Sequence, residues 1–378
     1  MGLKFDILVV GSGPAGATAA TLLSRKGYSV GMIDKNAFPR PKPCAGAIIL
    51  DIFEELPYLK QYQDRLLESV SYQGVFVAPD GKTQISLPIR LGACLREKFD
   101  TLLVEEAIHN QVKFISNEKV IHLKRKNGKI LVQTKTKIFE SQVVVGADGA
   151  NSTIAKKAFV QMPLKRQRNY FCRVYDFYYD EEKIIDLYEP ERPFHVFAKL
   201  AGCAQTGYGW LFPKKRHICV GFGITPTTRS SRHKSSQILF YSFLKFLFSK
   251  ALLPKNLASK PVLKSAMRSK SAFCPVGGMR EKVYEDRVLL VGDAGGFVDP
   301  ATGMGILDAV ISAKIASKVI INSFQDNNPA FLSNYDILCK KRFQRPYQKA
   351  LTVQKLFLSP LTTAIFRIAK KWFNLSKG

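Results

Sequence analysis

Gly11, Gly13 and Gly16 follow directly on the apolar, β-branched run Phe5–Val10 and open an alanine-rich stretch, with Pro14 and Ala15 in its first turn. Glycine at these positions permits a tight turn and close backbone approach to a pyrophosphate, whose charge then meets the positive N-terminal end of a helix. A second strand, Ser29–Asp34, ends on an acid 23 residues after Gly11, followed by Lys35. A carboxylate there accepts from a ribose 2′-hydroxyl and repels a 2′-phosphate, so FAD or NAD suits the site better than NADP. Two further loops, VGADG (Val145–Gly149) and VGDAGG (Val291–Gly296), place Asp148 beside Gly149 and Asp293 beside glycine at the ends of apolar runs. The second leads through Pro300 and Gly303 to Gly305 and Ile306 at a helix start, so that amides and a positive helix end face an anionic ring or phosphate. Dinucleotide-type signals some 280 residues apart, from Gly11 to Val291, must meet on one ligand, and a flavin dinucleotide needs both.

The elements that must position these residues begin with a β-α-β unit over Phe5–Asp34. Periodicity predicts a helix over Leu50–Glu68, a hairpin over Gly74–Ile89 turning at Pro79–Gly81, a helix over Cys94–His109, and three strands between Val112 and Gly146. Short aromatic strands and one basic helix, Ser236–Leu253, fill the stretch from about Arg166 to Ala272; after Arg287 the strand, loop and helix pattern returns, and the tail from about Ala330 is helical. The expected fold class is α/β (mixed α+β). A Rossmann-like FAD-binding domain (1–70, 93–165 and 275–330) carries an inserted antiparallel sheet domain for substrate (71–92 and 166–274). Basic amphipathic C-terminal helices (331–378) follow.

Basic residues outnumber acidic ones 57 to 30, for a net charge of +27, which asks for an anionic partner. From Arg192 to Arg280 sixteen Lys and Arg occur without one Asp or Glu, and a second acid-free segment runs from Lys340 to Gly378. Anionic lipid, nucleic acid and a phosphorylated or carboxylated substrate are the candidates. No zinc spacing, RNA motif or repeat supports a specific nucleic acid, which leaves a basic nucleic-acid- or membrane-binding protein without catalysis as the reading from another class. In the tail, Lys349, Lys355, Arg367, Lys370 and Lys371 interleave with Leu356, Ile365 and Trp372. That pattern suits either an interfacial helix on an anionic leaflet or a helix packed on the flavin domain. Seven scattered cysteines suggest a reduced, cytoplasmic compartment, and no His/Cys/carboxylate cluster suggests a metal. The apolar run Leu356–Ala369 is too short to span a bilayer, so peripheral placement on the inner face of a membrane is the alternative to a free cytoplasmic protein.

The set GSGPAGATAA, PKPCAGAI, LREKFDTLL, GADGANS, GYGWLFPK and GDAGGFVDPATGMGI, spread over about Phe5–Ala316, resembles the geranylgeranyl reductase family, among the flavoproteins folded like para-hydroxybenzoate hydroxylase. The resemblance implies FAD, with Ala15 and Asp34 at its adenosine end, Arg96 at the pyrophosphate, and the Val120 backbone at the adenine. Asp293 would bind the ribityl or pyrophosphate region, and Gly305 and Ile306 would place amides near the flavin pyrimidine. Cys44 stands where the family commonly has a cysteine followed by glycines close to the flavin, although Ala45 and Ala47 occupy positions that are often glycine; Cys44 either tunes the flavin and shapes substrate approach or is a small packing residue. Met304 replaces a frequent Glu. Tyr208, Trp210, Phe212 and Pro213 match an aromatic motif facing the flavin, either an apolar wall for a polyprenyl chain with Tyr208 as a proton relay, or an ordinary core strand. The implied activity is reduction of carbon–carbon double bonds in an isoprenoid or other lipid-like substrate, by hydride from flavin N5. The electron donor would be NAD(P)H or reduced ferredoxin. An FAD-dependent monooxygenase or halogenase shares the same motifs and is the nearest rival.

Overall fold

Fully apolar runs and alternating runs sort into two sheets. The computed structural model describes residues 2–159, 169–188, 192–203, 206–225 and 232–375. In chain order its first half gives β1 (Leu3–Val10), α1 (Pro14–Ser24), β2 (Val30–Ile33), β3 (Ala47–Ile49), α2 (Ile52–Glu55), α3 (Gln63–Leu66), β4 (Leu67–Val77), β5 (Gln84–Cys94), α4 (Arg96–His109), β6 (Lys113–Ile115), β7 (His122–Lys126), β8 (Lys129–Gln133), β9 (Ile138–Gly146) and α5 (Thr153–Ala158). The second half gives β10 (Tyr170–Tyr178), α6 (Glu181–Tyr188), β11 (Phe194–Ala198), β12 (Tyr208–Pro213), β13 (His217–Ile224), α7 (Arg232–Ser249), α8 (Lys260–Met267), β14 (Ser271–Cys274), β15 (Tyr284–Glu285), β16 (Val288–Leu290), α9 (Ile306–Gln325), α10 (Asn334–Phe357) and α11 (Thr362–Leu375).

The first sheet runs β15-β16-β9-β1-β2-β6, with a ribbon of β7 and β8 attached through β9. Its centre is parallel: Val9 of β1 lies between Met32 of β2 and Val145 of β9. These strands are buried on both faces, as near-continuous apolar runs require, and Ile7, Leu8, Val9, Val144 and Val145 are fully enclosed. The carboxyl ends of β1, β2, β9 and β16 therefore carry all the glycine loops to one edge, the crevice where open α/β sheets bind ligands.

The second sheet runs β14-β10-β13-β12-β11-β4-β5-β3 and is antiparallel except where β11 meets β4. Its two faces differ. Phe177, Leu211, Ile218, Val220 and Phe222 lie under Phe240, Phe243, Leu244 and Leu247 of α7. The alternate positions, Tyr170, Cys172, Phe194, Trp210, Phe212 and Cys219, gather on the other side with Val276 and Val298 from the loops near β16, as the period of two demands.

The sequence reading differs from this fold in three places. The helix expected over Leu50–Glu68 breaks into α2, a 3-10 stretch over Pro57–Tyr62, and α3. Pro57 forces Leu56 out of the helical region, to φ −128° and ψ 77°. Four strands rather than three lie between Val112 and Gly146, the extra one being the short edge strand β6. The second sheet also takes in β3 and begins β4 at Leu67, ahead of position 71. The expected division at 165/166 falls among residues 160–168, outside the described ones.

Candidate cofactor and substrate site

At the adenosine end the glycine loop is close-packed backbone on backbone. Gly11 adopts φ +99°, and a Cβ there would overlap the Ala147 carbonyl of the loop after β9. A Cβ on Gly16 would overlap the Gly11 carbonyl itself. Gly13 caps α1, whose Pro14 fills a position where its missing N–H costs nothing. Asp34, at the end of β2, accepts from Ser12 N at 3.0 Å and Ser12 Oγ at 2.8 Å through Oδ2, and from Asn36 N at 2.9 Å through Oδ1. Its backbone carbonyl accepts from Glu118 N at 2.9 Å, which brings the 118–121 turn with Val120 over the same strand end. Lys35 is exposed beside it.

Arg96, the first residue of α4, grips Asp100 with two hydrogen bonds, Nε to Oδ1 at 2.8 Å and Nη2 to Oδ2 at 2.9 Å. Arg40 approaches the same carboxylate at 3.4 Å. The Asp100 side chain is 0% exposed and the two guanidiniums are nearly so. Two cations thus share one buried anion, leaving an excess positive charge that a protein interior tolerates only beside a further anion. Arg40 Nη2 stands 3.8 Å from where a Gly13 Cβ would be, and Arg40 Nε is buried without a hydrogen-bond partner among the described residues. The glycine loop, the α1 N-terminus and this unmatched guanidinium fit a dinucleotide pyrophosphate. Arg40 was missed in the sequence, because what marks it is the buried Asp100 that it shares with Arg96.

The two distant motifs meet here. Gly292, at φ +55°, lies so close to α1 that a Cβ would stand 3.0 Å from the Ala15 Cβ. Asp293 follows it, half-buried, in the short 3-10 turn after β16. Asp148 is placed differently: its carboxylate accepts from Ser152 Oγ, from Thr153 N at 2.6 Å and from Ile154 N at 3.1 Å, so it caps α5. That capping engages the carboxylate and leaves the Asp148–Gly149 backbone as what this loop offers a cofactor.

The loop between Pro300 and α9 is held from within. Asp299 Oδ1 accepts from Ala301 N at 3.0 Å, and from Thr302 N and Thr302 Oγ1 at 2.8 Å each. Gly303, at φ +70°, has no room for a Cβ because the Tyr208 hydroxyl occupies that space. Gly305 caps α9, and Ile306 begins it. Met304 is half-buried, its carbonyl accepting from Asp299 N at 2.9 Å.

Tyr208 joins this loop to the second sheet: its hydroxyl donates to the Thr302 carbonyl at 2.8 Å. Burial, with Cys274 and Cys172 nearby, pushes its pKa far above the ordinary tyrosine value. Trp210 packs beside it with ring centroids 5.7 Å apart, and Phe194 stacks on Phe212 at 4.3 Å. Ala45 and Tyr208 border the same apolar cluster. The half-buried Cys44 accepts from Gly46 N at 3.4 Å. Contact with Cys172 and burial hold the Cys274 thiol protonated, and burial does the same for Cys219. These thiols therefore present weakly polar, unreactive surface. His195 and His217 lie elsewhere, the first buried and stacked on Phe197 at 6.1 Å, the second against Tyr178 at 5.6 Å.

This is the architecture of a flavoprotein, its first sheet and glycine loops built as an FAD binding domain. The FAD binding domain family matches residues 4–350, and the chain belongs to it. A digeranylgeranylglycerophospholipid reductase of Methanopyrus kandleri is 28% identical over 368 residues, 94% of this chain and 87% of its own length. Among solved structures, a geranylgeranyl bacteriochlorophyll reductase-like protein from Thermoplasma acidophilum superposes with a TM-score of 0.78 at 21% identity, covering 97% of this chain and 90% of its own. The tetracycline destructase Tet(51) superposes at 0.71 with 20% identity over 97% of this chain and 94% of its own. No helix among the described residues is long and apolar enough to cross a membrane.

Proposed function

We propose that this protein reduces carbon–carbon double bonds in the chains of an isoprenoid lipid. The observation that carries the proposal is the juxtaposition of an apolar aromatic wall, Trp210 with the Phe194–Phe212 stack, with the Gly303–Gly305 loop across the Tyr208–Thr302 hydrogen bond. Bound FAD, once reduced, would supply to one alkene carbon the hydride that no side chain can give, the other carbon taking a proton that comes ultimately from solvent. The polypeptide's part is to hold and to exclude. The glycine loop, Arg40, Arg96 and Asp34 would hold the adenosine and pyrophosphate end, and Asp293 the ribityl region.

Trp210, Phe194 and Phe212 keep the alkene in a dry, fixed plane, gaining rate by positioning and by removal of water. Cys44 and Ala45, the latter bordering the same cluster, shape the substrate's approach. Tyr208 holds the Thr302–Gly303 backbone in place, its proton already directed to a carbonyl. NAD(P)H or reduced ferredoxin supplies the electrons, the latter drawn by the basic surface. The same charge favours peripheral residence on an anionic cytoplasmic leaflet, where such lipids lie.

The test is product mass. With dithionite as donor under nitrogen, a geranylgeranylated glycerolipid should gain a pair of hydrogens per alkene. A product that gains oxygen once air is admitted, with none formed before, would move the protein to the monooxygenase branch of the fold.

A further inference from the structure

The two large helices at the C-terminus meet in a corner that faces two ways. Leu358, in the turn between α10 and α11, packs against the cluster containing Trp210 and Phe212. Its neighbours Leu356 and Leu361 point to solvent, the latter 68% exposed. The corner is built firmly. Thr362 Oγ1 donates within reach of the Ser359 and Phe357 carbonyls, at 2.6 and 2.9 Å. Gln354 Nε2, buried, donates to the carbonyl of Pro300 at the root of the 299–304 loop. Beyond it, Phe366 turns inward and Arg367 reaches Asp80 at 3.6 Å, so α11 lies along the β4–β5 hairpin.

The outer side of α11 is unlike an ordinary solvated face. Leu361, Ile365, Ile368 and Trp372 recur at intervals of four, three and four, which places them on one stripe. All four are exposed, Trp372 by 74%. Lys371 borders them on one side with Lys370 further round the helix, and from Lys340 to Gly378 there is no acid to offset the charge. An exposed apolar stripe on an acid-free, basic helix suits the boundary between lipid headgroups and acyl chains.

We infer that the α10–α11 corner and the outer face of α11 seat on an anionic bilayer and that a lipid chain passes from that bilayer to the aromatic wall past Leu358. The inference rests on the reading of the substrate as an isoprenoid lipid, and it adds where that lipid enters. Leu358 divides the two apolar regions: inside it lies the aromatic wall, outside it the stripe.

The test uses flavin-loaded full-length protein and vesicles of phosphatidylcholine mixed with an equal amount of phosphatidylglycerol, against phosphatidylcholine alone. The protein should float with the anionic vesicles and be released by salt, and Trp372 emission should be quenched by brominated phosphatidylglycerol. Leu361→Asp with Ile368→Asp, both on exposed positions, should cut retention by about tenfold or more with an unchanged flavin spectrum. In a Trp372→Phe background, the indole introduced by Leu358→Trp should also be quenched by brominated lipid, which reads the passage without turnover.

Retention unaffected by the aspartates would overturn the docking surface, as would a chain that dimerises through the stripe and ignores vesicles. An indole at 358 untouched by the quencher would overturn the passage. Vesicle binding and quenching without reduction of any isoprenoid lipid would leave the surface standing and remove the substrate reading instead.

Discussion

The two faces of the second sheet are made by the same strands and differ in what covers them. On one, Leu211, Val220 and Phe222 lie beneath Phe240, Phe243 and Leu247 of α7, all fully buried. On the other, Trp210 and Phe212 meet Val276 and Val298 from the loops near β16, a helix corner and half-buried residues such as Tyr208, Cys274 and Ala45. The covered face stabilises the fold; the opposite face, closed by parts from distant segments, is the one proposed to take the substrate. Alternation along β12 divides one strand between the two tasks.

The sharpest way to break this division is to truncate one ring on each side. Phe243 lies on Gly209 and is fully buried, so Phe243→Ala should cost about 3–5 kcal/mol, read as a lower urea midpoint. Trp210→Ala, also at a buried ring, should lower the midpoint by a similar amount and in addition remove most of the turnover that the folded Phe243→Ala protein retains. Equal residual activity in the two folded variants would erase the distinction.

The covered face should also carry the acid sensitivity. Burial pushes His195 down to about 4 from 6.5, opposed by a hydrogen bond to the Pro193 carbonyl. The folded state then holds fewer protons than the unfolded one between those values, so stability is complete above about pH 6.5 and falls as pH drops towards 4. The loss attributable to this group is on the order of 3 kcal/mol. His217, half-buried on the other face with Cys219, is shifted in the same direction by burial. Thermal midpoints between these pH values should fall less steeply in His195→Phe; an unchanged slope removes His195 from the account.

A third change lies outside both faces and tests the cofactor end. Arg40→Met should leave the Arg96–Asp100 pair in balance and weaken FAD affinity by about 10- to 100-fold, the worth of a charged hydrogen bond. Titration of flavin-free protein by fluorescence measures it, and undiminished affinity would mean that Arg40 does not face the pyrophosphate. Smallest of all is Tyr208→Phe. As a clamp on Thr302 it is worth about 1 kcal/mol, visible as slightly weaker flavin retention with turnover reduced only a few-fold. A relay would instead lose roughly a hundredfold or more in turnover.

The cofactor end was more legible in the sequence than the substrate end, for a physical reason. Gly11, Gly13, Gly16 and Asp34 are close in the chain, and each meets a local backbone demand that few other residues satisfy. The wall at Trp210 had a readable alternation, yet which face was covered depended on α7, about thirty residues away. Leu358 carried no local signal, because its contacts with the wall exist only once α10 has packed on α9. Asp148 looked like Asp293 in sequence, a strand-terminal acid before glycine; the difference lies in Ser152 and the start of α5, which take up its carboxylate. Arg96 was readable through the motif around it, whereas Arg40 became visible only with the buried Asp100 that the two arginines share.

The most direct test is a single turnover without oxygen. Protein carrying reduced FAD is mixed under nitrogen with vesicles containing a geranylgeranylated glycerolipid, and the flavin absorbance is followed in wild type and in Trp210→Ala. The account predicts reoxidation in wild type at a rate that rises with lipid, one saturated bond formed per flavin, and a much slower reaction in Trp210→Ala. A flavin that stays reduced in both until air enters, then forms an oxygenated product, would contradict it.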